Sequence, residues 1–556
     1  MEKFLLCKNN RSIYTALLYS DRVFDAISAF ESYQNSLTLL KPGRIDKDKI
    51  RNEFILSRDD FLNRLHEKAN IYINNADWSN ASLAYSYLFK FNNENADIVK
   101  NYIKCLNELK QYDLALDLLD YFSEIHSNDI SIYKLYAEIY SSKKDNIKAV
   151  ECYEKYLSEK DKDTITADEY NQLGCYYDVL SRRIEPHKYI KKSLDCFKKA
   201  LELRPYNKLF NKNIAIVGLR YNDLNLIKTH WDNIIRYNLM NNDDKYDYAL
   251  FCQKIFNIDG LKKYYDSRFY KETGKVNYPQ MGKPVWLGED ISEKTLLIYA
   301  EQGFGDNLLM SGYIQRVNKK CKKVIYLVQS ELYRLMKYSL QGIEIFPRDS
   351  VSIKNLDFDY HIPIMSLPLA LNLNRDNISV GGGYLKVDNK TAEGFNNKYF
   401  NNDKLKIGIS FWSNNVLVYP DRDLFDEYLP LLDKIKNAEF YLLNKYIDME
   451  KFSSLKENKV INIADDCRDF YDTAAAAVNC DIILTTDNGI LNLAGALGKK
   501  TYALFNWHNE YRWFDLTGDD VVFYTSVKPF VNKEINAWDT SLNRAIEEIN
   551  QLKNNC

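Results

Sequence analysis

The chain has 556 residues, which is enough for three or four domains with sizeable cores. Its formal net charge of −2 argues against a general nucleic-acid binder, since such a protein needs a basic surface to neutralise phosphates. No stretch approaches the roughly 18 apolar residues of a membrane span, and the N-terminal apolar run is too short for a signal peptide. The 10 cysteines are scattered without a C-x-x-C pair. We therefore expect a cytoplasmic protein with reduced thiols.

Residues 1–60 are predicted to be helical and to cap the array that follows. Proline and glycine predict a turn at Lys41–Gly43. The core candidates of this segment are Tyr14, Leu17, Leu18, Val23, Phe24, Ile27 and Phe30.

An internal period of 34 residues begins after this cap. Ala81, Ala115 and Ala149 are spaced at that interval, each near the start of a predicted helix. A fourth copy, with an insertion around Arg182–Pro186, and a fifth copy follow. Small residues at helix crossings with aromatics between them resemble the tetratricopeptide (TPR) repeat, so residues 61–265 are predicted to form a TPR-like superhelix. The resemblance implies a concave face that binds polypeptide, and a generic helical bundle is the alternative.

A strand–turn–helix unit follows a linker at residues 266–294, where proline and glycine interrupt the helical pattern. Leu296–Tyr299 is typical of a buried parallel strand, and Gly303 and Gly305 then turn the backbone. An apolar helical pattern resumes at Leu308. Such corners are where α/β sheets hold anionic groups.

Two acids beside the glycine pair are the candidates for catalysis. Asp306 lies at the predicted helix N-terminus, where the helix dipole stabilises a carboxylate. A nearby Glu301 would raise the pKa of one of the two carboxyls towards general-base duty. Gly303 and Gly305 match only part of the dinucleotide-binding pattern, so no dinucleotide cofactor is expected. The other interpretation of the glycines is a plain tight turn.

The rest of the chain alternates between strands and helices, which predicts two doubly wound α/β domains at residues 295–395 and 396–556. Further strands of the first domain are predicted at Val324–Val328, Ile343–Phe346, Asp359–Ile362 and Tyr384–Val387. Strands of the second are predicted at Lys406–Phe411, Glu439–Leu443, Val460–Ile463, Asp481–Thr485, Thr501–Phe505 and Val521–Tyr524. Helices are predicted at Glu331–Ser339, Leu424–Ile435, Phe470–Val478, Gly489–Leu497 and Ser541–Leu552, the last crossing back over the first domain.

A second polar corner follows the strand that ends at Thr485. In a purely structural interpretation, Asp487 caps the helix that begins there. In the functional interpretation, the backbone amides of Asn488 and Gly489 cradle a phosphate or diphosphate.

Four motifs taken together carry a family resemblance. They are Glu301–Asp306, Asp469–Ala475, Asp487–Gly498 and Tyr511–Trp513. As a set they resemble the bacterial TPR glycosyltransferases related to the heptosyltransferases of lipopolysaccharide synthesis. The family histidine is Asn492 here, and the threonine after the motif aspartate is Asn488, so neither can carry positive charge to a donor phosphate.

The resemblance implies a two-domain GT-B glycosyltransferase with twin Rossmann-like domains behind the TPR-like superhelix. The first α/β domain would face the acceptor, and the second would bind a nucleotide-sugar. The implied donor-binding residues are Asp487, Asn488, Gly489, Asn492, Arg512 and Arg422, although either arginine could instead form a surface salt bridge. Transfer would be inverting, with Asp306 as the base. No Asp-x-Asp motif follows a strand in the second domain, so neither a metal nor another cofactor is expected.

The expected function is O-glycosylation of Ser or Thr hydroxyls on a protein held by the repeats. Proteins of this layout include flagellin-modifying enzymes, which makes flagellin the expected acceptor. One alternative is a heptosyltransferase-like enzyme acting on a glycan or lipid. Another is a TPR scaffold without catalytic activity, which the Asn492 departure permits.

Overall fold

The computed structural model describes residues 17, 22–38, 47–182, 185–221, 223–237, 240–272, 281–411, 429–444, 460–505, 521–532 and 538–552. The chain divides into two compact units. The first comprises Met1–Ile184 and Lys188–Pro205, and the second comprises Glu185–His187 and Tyr206–Cys556. The division by packing therefore falls before residue 206, rather than near the expected boundary at 265.

The first unit consists of helices throughout its described residues. These helices are α1 (Val23–Thr38), α2 (Lys47–Asn74), α3 (Trp78–Phe91), α4 (Ala96–Glu108), α5 (Tyr112–Ile125), α6 (Ser131–Ser142), α7 (Asn146–Ser158), α8 (Ala167–Ser181) and α9 (Pro186–Leu203). A short 3-10 turn, Lys162–Thr164, lies between α7 and α8.

The 34-residue period corresponds to successive helical hairpins. Ala81, Ala115 and Ala149 lie in the first turns of α3, α5 and α7, and all three are buried. At the crossing of α8 and α9, a Cβ atom on Gly174 would lie 2.6 Å from the Phe197 ring. Small residues are therefore required where paired helices approach closely, as the TPR-like pattern predicts.

The predicted N-terminal cap is only partly confirmed. Val23, Ile27 and Phe30 are buried, but Phe24 is 67% exposed, so its assignment to the core is wrong. Phe24 follows the buried Val23 directly, and adjacent positions on a helix point in different directions. Helix α2 passes through residue 60 without a break, so the expected cap and first repeat share one helix. Tyr14 and Leu18 lie outside the described residues.

Four more helices open the second unit. They are α10 (Lys208–Tyr221), α11 (Leu224–Arg236), α12 (Asn242–Lys254) and α13 (Ile258–Tyr264), followed by a 3-10 turn at Tyr265–Phe269. Ala249, Leu261 and Tyr265 are buried in the same apolar cluster as Leu296 and Ile298 of the first sheet. This shared core explains why the last helices group with the α/β region.

The first sheet has four parallel strands in the order β3-β2-β1-β4. Its strands are β1 (Ile291–Tyr299), β2 (Cys321–Val328), β3 (Glu344–Pro347) and β4 (Tyr360–Pro363). Its helices are α14 (Phe304–Met310), α15 (Ile314–Asn318), α16 (Ser330–Ser339) and α17 (Leu367–Ala370). Strand β1 is central, since Ile298 pairs with Tyr326 on one side and with Ile362 on the other. The apolar run at the end of β1 is buried by this position.

The second sheet has six parallel strands in the order β10-β9-β8-β5-β6-β7. A helix α18 (Asn389–Tyr399) precedes it. Its strands are β5 (Leu405–Ser410), β6 (Ala438–Leu442), β7 (Ile461–Asn462), β8 (Ile482–Thr486), β9 (Thr501–Phe505) and β10 (Val527–Val531). Its helices are α19 (Phe470–Ala477), α20 (Gly489–Leu497) and α21 (Trp538–Leu552).

Two predicted strands are wrong. Tyr384–Val387 forms no strand and bends at Leu385, whose amide donates to the Ala496 carbonyl oxygen at the end of α20. Val521–Tyr524 is not a strand, and β10 begins only at Val527. In both cases the apolar residues are buried by packing and do not mark a strand in a sheet. The described part of predicted helix Leu424–Ile435 is a 3-10 helix at Leu429–Lys434.

The two α/β halves share one apolar core. It contains residues of α14 and β1 together with residues of α20, such as Leu308, Leu491 and Ala494. Helix α21 does not cross back to the first half as expected, because Leu542 and Ile549 pack with the second sheet. Among the described helices, none combines the length and apolar character of a membrane span.

Candidate active site

The first corner, residues 300–307, connects β1 to α14. Gly303 is the N-cap of α14, and the Asp306 carboxylate accepts a hydrogen bond from the Gly303 amide at 3.0 Å. Asp306 is half-buried, so one side of it remains accessible to solvent. Gln302 has a φ of 60°, which is uncommon for a residue with a side chain. The turn therefore holds a carboxylate at the positive end of the helix.

Asn307 stabilises the first corner from inside. Its side chain is fully buried, and its amide nitrogen donates to the carbonyl oxygens of Glu301 at 2.7 Å and Gly303 at 2.8 Å. These bonds fix the backbone on both sides of Gln302. Asn307 was not among the site residues predicted from the sequence, although an amide side chain directly after the candidate acid was an available signal.

Glu301 lies in a buried ion pair with Arg268. The Arg268 Nη2 and Nε atoms donate to the two Glu301 carboxylate oxygens at 2.8 and 3.1 Å. The Met365 amide donates to the same carboxylate at 3.2 Å. Both carboxylate oxygens are therefore engaged in a site that solvent hardly reaches. These contacts favour a positioning role for Glu301 over the general-base role expected from sequence.

Arg268 connects the end of the helical region to this corner. It also donates to the Ser366 hydroxyl at 2.8 Å and to the Asp266 carboxylate at 2.5 Å. The carboxylate of Glu301 holds the pKa of Arg268 above its ordinary value despite burial, which by itself would lower it. Nothing in the local sequence around Arg268 indicated a partner 33 residues away.

The second corner, residues 486–492, connects β8 to α20. Its N-cap is Asn488, whose side-chain oxygen accepts from the Ile490 amide at 2.8 Å. The Asn488 side-chain nitrogen donates to the Ser410 carbonyl oxygen at 3.0 Å. The structural interpretation that Asp487 caps α20 is therefore wrong. Because the Asn488 side chain is used for capping, a donor contact at this residue would involve its backbone.

Asn492 is also engaged within the protein. Its side-chain oxygen accepts from the Tyr524 hydroxyl at 3.2 Å, and its nitrogen donates to the Asn488 carbonyl oxygen at 3.4 Å. Tyr524 was not among the site residues predicted from the sequence, and it lies in a segment predicted to be a strand. Asn492 therefore links the second corner to the segment that precedes β10.

The two corners meet. A Cβ atom on Gly305 would lie 2.9 Å from the Asn492 side-chain nitrogen and 3.4 Å from the Gly489 Cα atom. By contrast, a Cβ atom on Gly489 would have no neighbour within 4 Å among the described residues. Gly305 is therefore needed for close contact between the halves, whereas no described residue fills the space beside Gly489.

An ion cluster joins the halves beside the corners. Arg334 of α16 donates to Asp469 at 3.1 Å, and its other terminal nitrogen lies 3.1 Å from a carboxylate oxygen of Asp472. Asp469 is the N-cap of α19. Burial favours protonation of Asp472, but Arg468 and Arg334 hold the pKa of its carboxyl below its usual value. Across the same contact, the rings of Phe304 and Phe470 lie 5.2 Å apart.

The two proposed cationic donor residues, Arg422 and Arg512, lie outside the described residues, as does Tyr511–Trp513. Among the residues that are described, there is no group of three His, Cys, Asp or Glu side chains that could hold a metal ion.

The architecture defines the class of fold: a TPR-like helical region followed by twin parallel α/β halves of the GT-B type. No family model matches the chain. Protein FlbA of Caulobacter vibrioides is 23% identical over 309 residues, a match that covers 50% of each protein. The chain therefore spans about half the length of this curated relative.

Several solved structures are each similar to part of the chain. The glycosyl transferase family 9 protein of Veillonella parvula is 12% identical, with a TM-score of 0.37, covering 48% of this chain and 99% of that one. The ADP-heptose lipopolysaccharide heptosyltransferase II of E. coli is also 12% identical, with a TM-score of 0.35, covering 47% and 100%. YrrB, described as a TPR protein with an unusual peptide-binding site, is 17% identical, with a TM-score of 0.28, covering 35% and 95%.

Proposed function

We propose that the chain is a glycosyltransferase that moves a sugar from a nucleotide-sugar to Ser or Thr hydroxyls of a protein. One observation carries the proposal: the two corners, one from each parallel sheet, meet at Gly305 and Gly489. Each corner follows the carboxyl end of a parallel strand, which is where open α/β sheets bind their ligands. An acid from one half thereby lies beside a helix N-terminus from the other.

In the proposed reaction, Asp306 takes the proton from the acceptor hydroxyl as the oxygen attacks the anomeric carbon. The bond from that carbon to the donor phosphate breaks, and the configuration inverts. The leaving phosphate is stabilised by the backbone amides at Asn488 and Gly489, with Arg512 or Arg422 supplying positive charge. Half-burial of Asp306 suits this role, because the carboxylate can reach a substrate while keeping its bond to the Gly303 amide.

Glu301 has a supporting part in this proposal. Its buried pair with Arg268 fixes the backbone two residues before Gly303, whose amide donates to the Asp306 carboxylate. Precise placement matters because proton transfer requires heavy atoms within roughly 2.6–3.2 Å of one another. Glu301 is thus a positioning residue, and Asp306 is the proposed catalytic one.

The helical repeats are proposed to hold the acceptor protein, with flagellin as the first candidate. A fragment of residues 1–205 follows the division by packing and is expected to remain folded and capture the acceptor. A fragment of residues 1–265 would end with Ala249, Leu261 and Tyr265 stripped of their apolar partners. We expect the longer fragment to aggregate or bind a hydrophobic dye more strongly. Capture by residues 206–556 instead would contradict this division of labour.

The decisive experiment is Asp306→Asn in the full chain. Asparagine keeps an acceptor oxygen for the Gly303 amide but cannot take a proton at neutral pH. Transfer to flagellin, followed by intact-mass analysis, should fall by about 10²–10⁴-fold, as expected for loss of a general base. Donor affinity and thermal stability should stay near wild type.

The matched control is Asp145→Asn, which changes another helix-capping acid. Asp145 is the N-cap of α7 and accepts from the Lys148 amide at 3.2 Å. This variant should lose at most about 1 kcal/mol of stability and keep full activity. If Asp306→Asn melts earlier but still transfers sugar, Asp306 is only a cap and the proposed mechanism is wrong.

Metal independence and acceptor class are tested in the same assay. Activity is expected to persist in EDTA, and its loss would refute direct displacement without a metal. Transfer to a glycan or lipid but not to protein would favour the heptosyltransferase-like alternative. The scaffold alternative is motivated by Asn492, which replaces the family histidine and bonds to Tyr524. Wild-type protein that binds acceptor but never binds a nucleotide-sugar would support that alternative.

A further inference from the structure

A cleft of about 440 Å³ lies in the helical region, apart from the two corners. It is lined by residues of α7, α8 and α9 and of the connection between α7 and α8. That connection runs from residue 159 to 166, whereas the equivalent connections run only from 92 to 95 and from 126 to 130. The longer connection carries a 3-10 turn, Lys162–Thr164, to the edge of the cleft.

Lysine is the dominant charged residue of this cleft, which we call the lysine cleft. Its lining contains Lys160, Lys162, Lys192 and Lys199 against a single carboxylate, Asp195. The apolar part of the lining includes tyrosine rings and branched aliphatic side chains. The volume is within the range of about 300–1,000 Å³ that is usual for ligand sites.

Two of the four lysines are already neutralised and serve to fix the walls. Lys160 donates to both carboxylate oxygens of Glu169 at 2.7 Å, and Lys192 donates to Glu154 at 2.9 Å. Burial alone would raise the pKa of Glu169, but Lys160 and neighbouring donors lower it to about 2, so the pair stays charged at neutral pH.

The other two lysines keep positive charge available to a ligand. Lys162 and Lys199 are exposed, and among the described residues neither forms an ion pair with a carboxylate. The amino group of Lys199 lies over the Tyr170 ring at 5.3 Å, which directs it along the cleft wall. The cleft thus presents two unneutralised ammonium groups beside an apolar floor.

These features favour an acidic polypeptide over other anions. The cleft offers lysines but no arginine, and arginine is the residue that binds phosphate in a bidentate manner. A bare phosphate would leave the apolar lining unused. Nucleic-acid bases need open aromatic faces, but Lys199 lies over the Tyr170 ring and Lys192 lies 4.9 Å from the centre of the Tyr177 ring.

We propose that the lysine cleft binds an acidic segment of a partner polypeptide. Carboxylates of the segment pair with Lys162 and Lys199, and an apolar side chain between them packs on the aliphatic part of the lining, Leu157, Ile165 and Leu173. The site lies between the second helices of two successive hairpins, α7 and α9, and it does not depend on sugar transfer.

The test uses the full chain and a short fluorescein-labelled peptide of alternating glutamate and leucine. Binding is measured by fluorescence anisotropy at about 0.05 M and about 0.2 M salt, since screening weakens contacts between exposed charges. Wild-type protein should bind the peptide more weakly at the higher salt. The double variant Lys162→Glu with Lys199→Glu should bind at least about tenfold more weakly. A second double variant, Lys162→Gln with Lys199→Gln, removes the positive charges without adding negative ones. It should also bind the peptide more weakly, and it tests the proposal if the glutamate variant does not fold.

The matched control is Lys90→Glu with Lys148→Glu, which makes the same charge change on α3 and α7 outside the cleft. It should leave binding within about twofold of wild type, because long-range charge is screened. An equal loss in the control would show that only net charge matters and would overturn the proposal. Equal binding of the peptide with glutamine in place of glutamate would also overturn it. Tighter binding of single-stranded polyuridylate, lost in the cleft variants, would identify a nucleic-acid site instead.

Discussion

Removing Arg268 should destabilise the α/β region more than removing a surface charge. Its guanidinium is 1% exposed and the Glu301 side chain 3%, and two bonds of 2.8 and 3.1 Å join them. Arg268→Met would leave the Glu301 carboxylate buried, with the Met365 amide as its one remaining hydrogen-bond donor among the described residues. Breaking such a buried pair costs about 3–5 kcal/mol, whereas replacing both members by apolar residues is often neutral.

Urea unfolding followed by tryptophan fluorescence measures this difference. Arg268→Met should lose about 3–5 kcal/mol, and adding Glu301→Leu to it should recover most of the loss. The stability of Glu301→Gln should lie between those of Arg268→Met and the double variant. Its side-chain amide nitrogen, which is a donor, would face the Arg268 Nε–H group, which is also a donor. The reasoning is refuted if Arg268→Met unfolds at the wild-type urea concentration. If Glu301→Gln has normal stability but transfers no sugar, Glu301 takes part in catalysis directly.

Three further predictions concern single residues. Gly489→Trp should abolish nucleotide-sugar binding in calorimetry, because it fills a space at the start of α20 that no other described residue occupies; wild-type affinity would place the donor elsewhere. Gly305→Ala should cost about 1–3 kcal/mol, since its Cβ would lie 2.9 Å from the Asn492 side chain. Gly394→Ala, whose Cβ would meet none of the described residues, should be neutral or stabilising. Glu169→Gln should lower the free energy of unfolding by up to about 3 kcal/mol at pH 7, because folding lowers the pKa of Glu169 from 4.5 to about 2. The difference from wild type should shrink as the pH falls below 4.5 and vanish near pH 2. A difference in stability that does not change with pH would contradict this reasoning.

The regular elements were predictable because they rest on local patterns. The alanines at the 34-residue period are buried, and predicted strand Thr501–Phe505 and helix Gly489–Leu497 have the observed bounds. Continuous apolar runs identify central parallel strands, since both faces of such strands are covered.

The two wrong strands show the limit of that signal. Phe523 and Tyr524 are buried because they pack on elements other than a neighbouring strand. A Cβ atom on Gly495, for example, would lie 2.6 Å from the Tyr524 ring. Tyr384 is half-buried for a similar reason, and its hydroxyl donates to the Leu308 carbonyl oxygen at 2.9 Å. A short apolar run records burial, and sequence alone does not reveal whether a sheet or a helix provides it.

At the candidate site, the sequence identified the backbone turns better than the partners of each side chain. Asp306 and Gly305 lie at the first corner as expected. The roles of Glu301 and Asn488 could not be predicted, because they depend on Arg268 and Ser410, which are distant in the sequence. Contacts of this kind arise only when the fold is complete.

The apolar core shared by the two α/β halves has a consequence for biosynthesis. Leu296 and Leu308 are buried with Leu491 and Phe523, which are synthesised much later. The second unit is therefore expected to fold only after the segment that carries Leu491 and Phe523 has left the ribosome. The first unit has its own apolar clusters and can fold earlier. During that interval the exposed apolar surfaces of the nascent second unit are the part of the protein that most needs a chaperone.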